Sequence, residues 1–275
     1  MIKNAIRTIL NSEAVLSIKD YFFINPRFYT KIPYGGSCSD LFPWRESAEW
    51  QTRFNLYNIS SLQFPDLNLQ EKVQWVVLDS NGTVLLRESF ILDPFEKRLL
   101  LFGDFLKNKH GFGSFYVIHE PLKMNAFYQA KICLSERGYV AFRDLHTGPD
   151  KIWKYIHGNS SAVAQDTRTN GNARFLRNVF RKKFFYQPQM PFDDCESSDI
   201  FIMNPTEKKM DFKLIYFDKI NNPIQEYTLC VEPRASQIHR ITKHEVSRIA
   251  NESAIFLNRP IVFKYYKHNI DILHA

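Results

Sequence analysis

Glycine is scarce in this sequence and cysteine scarcer, with ten and four residues among 275. Phosphate-cradling loops and dinucleotide fingerprints need several glycines at fixed offsets, and neither GxGxxG nor GxxxxGKS/T occurs. The nucleophile elbow GxSxG is missing too, because Gly36-Ser-Cys-Ser has the wrong spacing. Kinase, dehydrogenase and ordinary hydrolase chemistry therefore lose their usual sequence support, and no cofactor is called for. Cys38, Cys133, Cys195 and Cys230 lie far apart and form no CxxC pair, which argues against zinc ribbons and thioredoxin-type redox chemistry. Apolar runs such as Val76 to Leu78 or Phe201 to Met203 fall far short of the roughly 20 residues that a spanning helix needs. The first residues lack the apolar core and cleavage site of a secretory signal, so the expected compartment is the cytoplasm, with free thiols. In that compartment the sequons at Asn58, Asn81, Asn159 and Asn251 carry no information.

What remains is an ordinary globular composition, 44% hydrophobic and 24% charged, with a net charge of +7. The length suggests two domains, each able to bury its own core. A weak internal repeat supports that division. Val76-Val-Leu-Asp79 and Leu214-Ile-Tyr-Phe-Asp218 are apolar strands ending in aspartate, and in both an acid-proline pair closes the segment at the same distance, at Pro94 and Pro233. Upstream, Phe54 to Asn58 parallels Phe201 to Asn204, each ending in asparagine. Downstream, Ser135 to Phe142 parallels Leu257 to Phe263, and Tyr155-Ile-His-Gly158 parallels Ile272-Leu-His-Ala275. All four blocks keep their order.

Strands are expected at residues 71–78 and 209–217. Asp-x-x-Gly or Asp-x-x-Asn turns follow, where Asn81-Gly82 and Asn221-Asn222 tolerate positive φ. Return strands run over 83–92 and 223–231 and stop at proline, which has no N–H for the ladder. Short strands with no βαβ alternation predict a mainly β chain: two tandem, internally duplicated antiparallel β-sandwich domains, an N-terminal helix over residues 2–19 and a basic connector helix over 173–185. The expected layout is an aromatic-rich lead-in to residue 50, a first sandwich over 51–165, a connector over 166–190 and a second sandwich over 191–275.

Four sets of residues invite chemistry. Tyr34, Trp44 and Trp50 lie in a dense aromatic stretch with Asp40 and Arg45, a combination that stacks on sugar rings and hydrogen-bonds hydroxyls. Arg137 and Arg259 occupy matching places in the repeats; as paired ligand sites they would bind anions, and as scaffold they would bridge Asp93 and Glu232. His146, Asp150 and His157 place imidazole and carboxylate in one loop region, suited to a divalent ion or acid/base work, although the spacing matches no standard motif and a solvated loop is the simpler reading. Finally, Arg174, Arg177, Arg181, Lys182 and Lys183 form a basic run interleaved with phenylalanines, which would suit nucleic acid or an anionic membrane surface, or a solvated connector. The leading expectation is a non-enzymatic binding or assembly protein with a carbohydrate or glycoconjugate ligand. An enzyme using His146, Asp150 and His157 is the second expectation, and an anionic-surface binder the third. No metal is assigned.

Overall fold

The computed structural model describes residues 37–107, 109–121, 134–146, 152–165, 174–175, 183–188, 191–242, 246–255 and 259–274. The expected N-terminal helix lies outside them. Within them the chain is mainly β. The first part contains β1 (Ser37–Glu46), β2 (Trp50–Tyr57), β3 (Glu71–Asp79), β4 (Val84–Leu92), β5 (Lys97–Leu101), β6 (Gly111–Pro121), β7 (Leu134–Glu136), β8 (Tyr139–Asp144), β9 (Lys154–His157), β10 (Asn159–Gln165) and β11 (Arg174–Phe175). The second contains β12 (Phe184–Tyr186), β13 (Ser197–Met203), β14 (Met210–Phe217), β15 (Pro223–Val231), β16 (Ser236–Ile241), β17 (Arg248–Ser253), β18 (Ile261–Tyr266) and β19 (Asn269–His274). Two short helices, α1 (Ile59–Gln63) and α2 (Phe102–Phe105), complete the set. Alternation drives the strands: in β2, Trp50, Thr52, Phe54 and Leu56 are buried while Gln51, Arg53, Asn55 and Tyr57 face the other way.

The strand order shows the repeat. In the first copy β1-β6-β3-β4 and β5-β2-β8-β9 form two sheets, and in the second β12-β17-β14-β15 and β16-β13-β18-β19 form two more. Exchanging each strand of one copy for its successor in the other reproduces the same order, and all of these pairs are antiparallel. The first copy adds β10, β11 and the parallel strand β7 around β1. Together the four sheets give a propeller-like arrangement of four blades, except that each blade draws its strands from distant points of the chain.

Register is held by the residues that mark the repeat in sequence. The Asp79 carboxylate accepts the backbone N–H groups of Asn81 and Thr83 at 2.9 and 2.8 Å, and Asp218 does the same for Ile220 and Asn222 at 2.9 Å each. The left-handed corner of the turn falls on Gly82 (φ 82°) and on Asn221 (φ 68°), residue types that accept it at low cost. A bulge interrupts both hairpins at the same step, between Val77 and Leu78 and between Tyr216 and Phe217. Asn58 and Asn204 are fully buried and act as rivets. The first donates its side-chain amide to the carbonyls of Leu69, Leu92 and Asp93, the second to those of Lys208, Val231 and Glu232. Each ties the end of its strand to the corner after the return strand, adding a donor to the Asp93 and Glu232 carbonyls that also accept the N–H groups of Glu96 and Ala235.

Packing follows the alternation. In the first copy the Phe54 ring on one sheet meets Phe42 and Phe115 on the other at 5.1 and 5.2 Å, and Trp75 packs edge-on to Phe102 at 4.9 Å. The core does not stop at the boundary between copies: one cluster of buried side chains runs from Leu41 to Ile272 through all four sheets. The copies meet head to tail. One face of the second copy's β16-β13-β18-β19 sheet lies on the first copy, with Phe263 edge-on to Trp50 and Phe142 at 5.4 and 5.1 Å and Phe201 edge-on to Phe112 at 5.8 Å. The hairpin tip at Gly82 packs on the Pro233 corner, where Ser236 donates its N–H to the Ser80 carbonyl at 2.9 Å.

Two expectations need correction. The basic connector is strand, not helix, at both described ends: Phe175 pairs with β10 and buries its ring against Tyr116, and 184–186 pair with β17 in the role that β1 has in the first copy. The lead-in before residue 50 likewise contains the central strand β1, whose alternation is hidden because nearly every residue in it is buried.

Candidate functional site

Most of the expected ligand-binding residues are scaffold. Trp44 and Trp50 are each 1% exposed, so neither ring has a face to offer a sugar. Trp44 donates its indole N–H to the Leu78 carbonyl at 2.7 Å. Arg45 lies over Trp50 and donates to Asp199 at 2.9 Å and to the Tyr265 hydroxyl at 2.8 Å, fastening one copy to the other. Tyr265 also donates to Asp199 at 2.5 Å, and burial holds the phenol above its usual range. Asp40 is buried and faces Arg137 at 3.7 Å. The expected bridges from Arg137 to Asp93 and from Arg259 to Glu232 do not form, because Gln70 donates to Asp93 at 2.8 Å and Lys209 pairs with Glu232 at 2.5 Å.

Of the expected catalytic group, only His146 and His157 are described. Asp150 lies outside the described residues, as do Tyr34, Arg177, Arg181 and Lys182. His146 is exposed and only its backbone N–H is engaged, by Asp144 at 2.7 Å. His157 meets Tyr139 at 3.8 Å with the rings tilted by 38° and lies nearly parallel to His274 at 6.4 Å, so the two repeated histidines meet where β9 adjoins β19. Burial, then the nearby Arg259 and His157, lower the His274 pKa to about 4, leaving a neutral ring. Of the basic run, Arg174 opens β11, and Lys183 is exposed and paired with Glu252 at 2.7 Å. Among the described residues no group of three or more His, Cys, Asp and Glu is placed to hold a metal ion, and no helix is long and apolar enough to cross a membrane.

The sequence reading missed a buried trio. His119 at the end of β6 is fully enclosed. Its Nδ1 hydrogen-bonds Glu71 at the start of β3, and its Nε2 lies 2.9 Å from Glu136 in β7. Burial alone would discharge the ring, but the two carboxylates outweigh it and raise its pKa to about 9, so an imidazolium sits between two anions. Burial likewise works against ionised Glu71, and the His119 contact with the Ser60 N–H bond overrides it and lowers the pKa. Glu136 is completed by the Gly138 N–H at 2.7 Å. Each of the four carboxylate oxygens has a partner, which suits a fastener for β7 better than a reacting centre. The second copy carries Met210 and Ser253 at the positions of Glu71 and His119, so the architecture stands without the trio. A histidine two residues before a strand-ending proline gave no periodic signal that would have marked it.

A second grouping is open to solvent. The face of the second copy's sheet that rests on the first copy presents Asp199, Phe201, Phe263 and Tyr265. By register, the same positions in the first copy are Arg53, Asn55, Ala141 and Arg143, on the outward side of β5-β2-β8-β9. That outward side has no copy packed on it. Tyr57, Tyr139 and Tyr155 are 39%, 51% and 45% exposed there. Arg53 lies over Trp153 at 4.3 Å and reaches the Tyr155 hydroxyl, a path left free because its cross-strand neighbour is the small Ala141. Arg143 covers Trp153 at 4.8 Å, and Lys97 stands 5.4 Å from the Tyr57 ring. Among the described residues, no outward position of these four strands carries a carboxylate. One sheet face thus serves as an apolar joint in one copy and as a cationic, tyrosine-studded surface in the other.

No protein-family model matches the chain, and no curated protein matches it.

Proposed function

We propose that this chain is a non-catalytic binding protein, built from two related antiparallel β-sandwiches, whose ligand is polyanionic and docks on the outward face of β5-β2-β8-β9. The sandwich reading rests on the Phe54, Phe42 and Phe115 contact between the two sheets of the first copy and on the Tyr216 and His239 contact between those of the second. The observation that carries the function is the contrast between equivalent faces. Freed from packing, the first copy's face has replaced a joint with Lys97, Arg53 and Arg143 and has kept its exposed rings. Sugar recognition of the kind expected from Trp44 and Trp50 is less well supported, since those rings are buried and the open face lacks a carboxylate to accept hydroxyl protons.

The test is a titration of the full chain with heparin, a single-stranded homopolymer, polyglutamate and a neutral glycan, followed by tryptophan fluorescence. Binding of at least one polyanion, lost in Arg143→Glu and Lys97→Glu, is the expected result. Binding of the neutral glycan alone, or of nothing in the panel, overturns the reading.

A further inference from the structure

Resting on the polyanion-binding reading, we infer that the ligand class of this face is single-stranded nucleic acid, held by its phosphates on Lys97, Arg53 and Arg143 and by its bases on Tyr139 and Tyr155. The argument is one of chemistry and spacing. A polyanion recognised by charge alone, such as a sulfated glycan, would need cations and hydrogen-bond donors but gives no role to exposed rings. An unpaired nucleotide needs both, because each carries one negative charge and one π-face, and stacking tolerates any base. Tyr139 pairs across the strands with His157, and Ala141 with Tyr155, which makes the two tyrosines diagonal neighbours. That geometry sets them about 7–8 Å apart, roughly the step between bases of an unstacked strand. Lys97 lies on β5 at one edge of the sheet and Tyr155 on β9 at the other, so a strand crossing the sheet meets cations and rings in turn.

The arginines are prepared for such a ligand. The Nε atoms of Arg53 and Arg143 are out of water and have no hydrogen-bond partner, an unfavourable state for a charged donor. The central guanidinium carbons of both stand over Trp153, 4.3 and 4.8 Å from its ring centre. A phosphate drawing either group off the ring would offer charge-assisted bidentate bonds in exchange for the ring contact and one neutral hydrogen bond, to the Tyr155 hydroxyl for Arg53 and to the Gln51 side-chain carbonyl for Arg143. Duplex nucleic acid would engage the same charges but keeps its bases out of reach of the tyrosines.

The experiment measures fluorescence anisotropy of labelled single-stranded 20-mers, a matched duplex and labelled heparin with the full chain. Three phosphate contacts predict that single-strand affinity falls about twentyfold between 50 and 200 mM salt. Tyr155→Ala and Tyr139→Ala are expected to weaken it by about five- to a hundredfold each, with unchanged circular dichroism. Tyr139→Phe, which keeps the ring and leaves the Arg53 contact with the Tyr155 hydroxyl in place, is expected to bind as the parent does and separates stacking from damage to the fold. Heparin or duplex binding as tightly as the single strand, with the tyrosine variants unaffected, overturns the nucleic-acid inference and leaves the polyanion reading standing. If no polyanion binds at all, both fall together.

Discussion

His119 offers the most exacting test of the energetics, because its surroundings are closed and its partners are known. Replacing it by alanine removes the positive charge between Glu71 and Glu136 and leaves both carboxylates enclosed. Breaking a buried ion pair by deleting one partner costs about 3–5 kcal/mol, which for a chain of this size lowers the melting temperature by roughly 10 °C. Glu71→Met combined with His119→Ser installs the residues of the second copy and keeps Glu136 on the Gly138 N–H, so the double variant is expected to be more stable than His119→Ala. The pH dependence follows from the sign of the shift. A pKa raised from 6.5 to about 9 stabilises the fold fully below pH 6.5, and that contribution is lost as pH rises through 9. Its full size is about 3 kcal/mol. Glu46 also has a raised pKa, about 7 by burial, and its contribution disappears between pH 4.5 and 7; burial raises the Cys195 thiol as well, so it is the difference between parent and His119→Ala that isolates His119. Urea unfolding of parent and His119→Ala at pH 7 and 9.5 provides the comparison. The parent should converge on the variant as pH rises. A cost below about 1 kcal/mol for His119→Ala, or a gap independent of pH, would refute the reasoning.

Two further predictions concern the repeat. Asn58→Ala and Asn204→Ala each remove three contacts from a buried amide to backbone carbonyls, and each is expected to cost about 1–3 kcal/mol in chemical denaturation by loss of those hydrogen bonds; a large difference between the two would show that the copies are not held alike. Gly82→Ala combines a left-handed φ with a methyl 2.7 Å from the Pro233 carbonyl, so it should destabilise by about 1–3 kcal/mol, whereas Asn221→Gly at the matching, solvent-facing corner should be nearly neutral in the same assay.

The repeat was legible because its markers are local. Asp79 and Asp218 bond their own turns, and the acid-proline pairs end strands, so spacing along the chain carried the information. Asn58 and Asn204 were visible as block ends, although aligning Phe54 with Phe201 was off by one; the ladder pairs Phe54 with Val140 and Ile200 with Val262. Strands β1 and β17 escaped notice for the opposite reason. Buried on both sides, they lack the alternation that reveals a half-exposed strand. The connector misled because phenylalanines near helical spacing over residues 175–185 also suit strands at either end. For Trp44 and Trp50 the sequence leaves core and surface roles both open, because composition says nothing about which aromatic faces the core. The open face was illegible in principle, since Arg53, Arg143 and Tyr155 come together only across three strands, and their exposure depends on the absence of a neighbour that the other copy has.

The head-to-tail union gives the two halves unequal fates if they are separated. A polypeptide carrying only the second half would present Phe201, Phe263 and Tyr265 to water and seek a substitute lid, most readily another molecule of itself. The first half, severed, would lose the cover over Trp50 and Phe142 yet keep its tyrosine surface unchanged. The joint thus makes the second half the more dependent of the two.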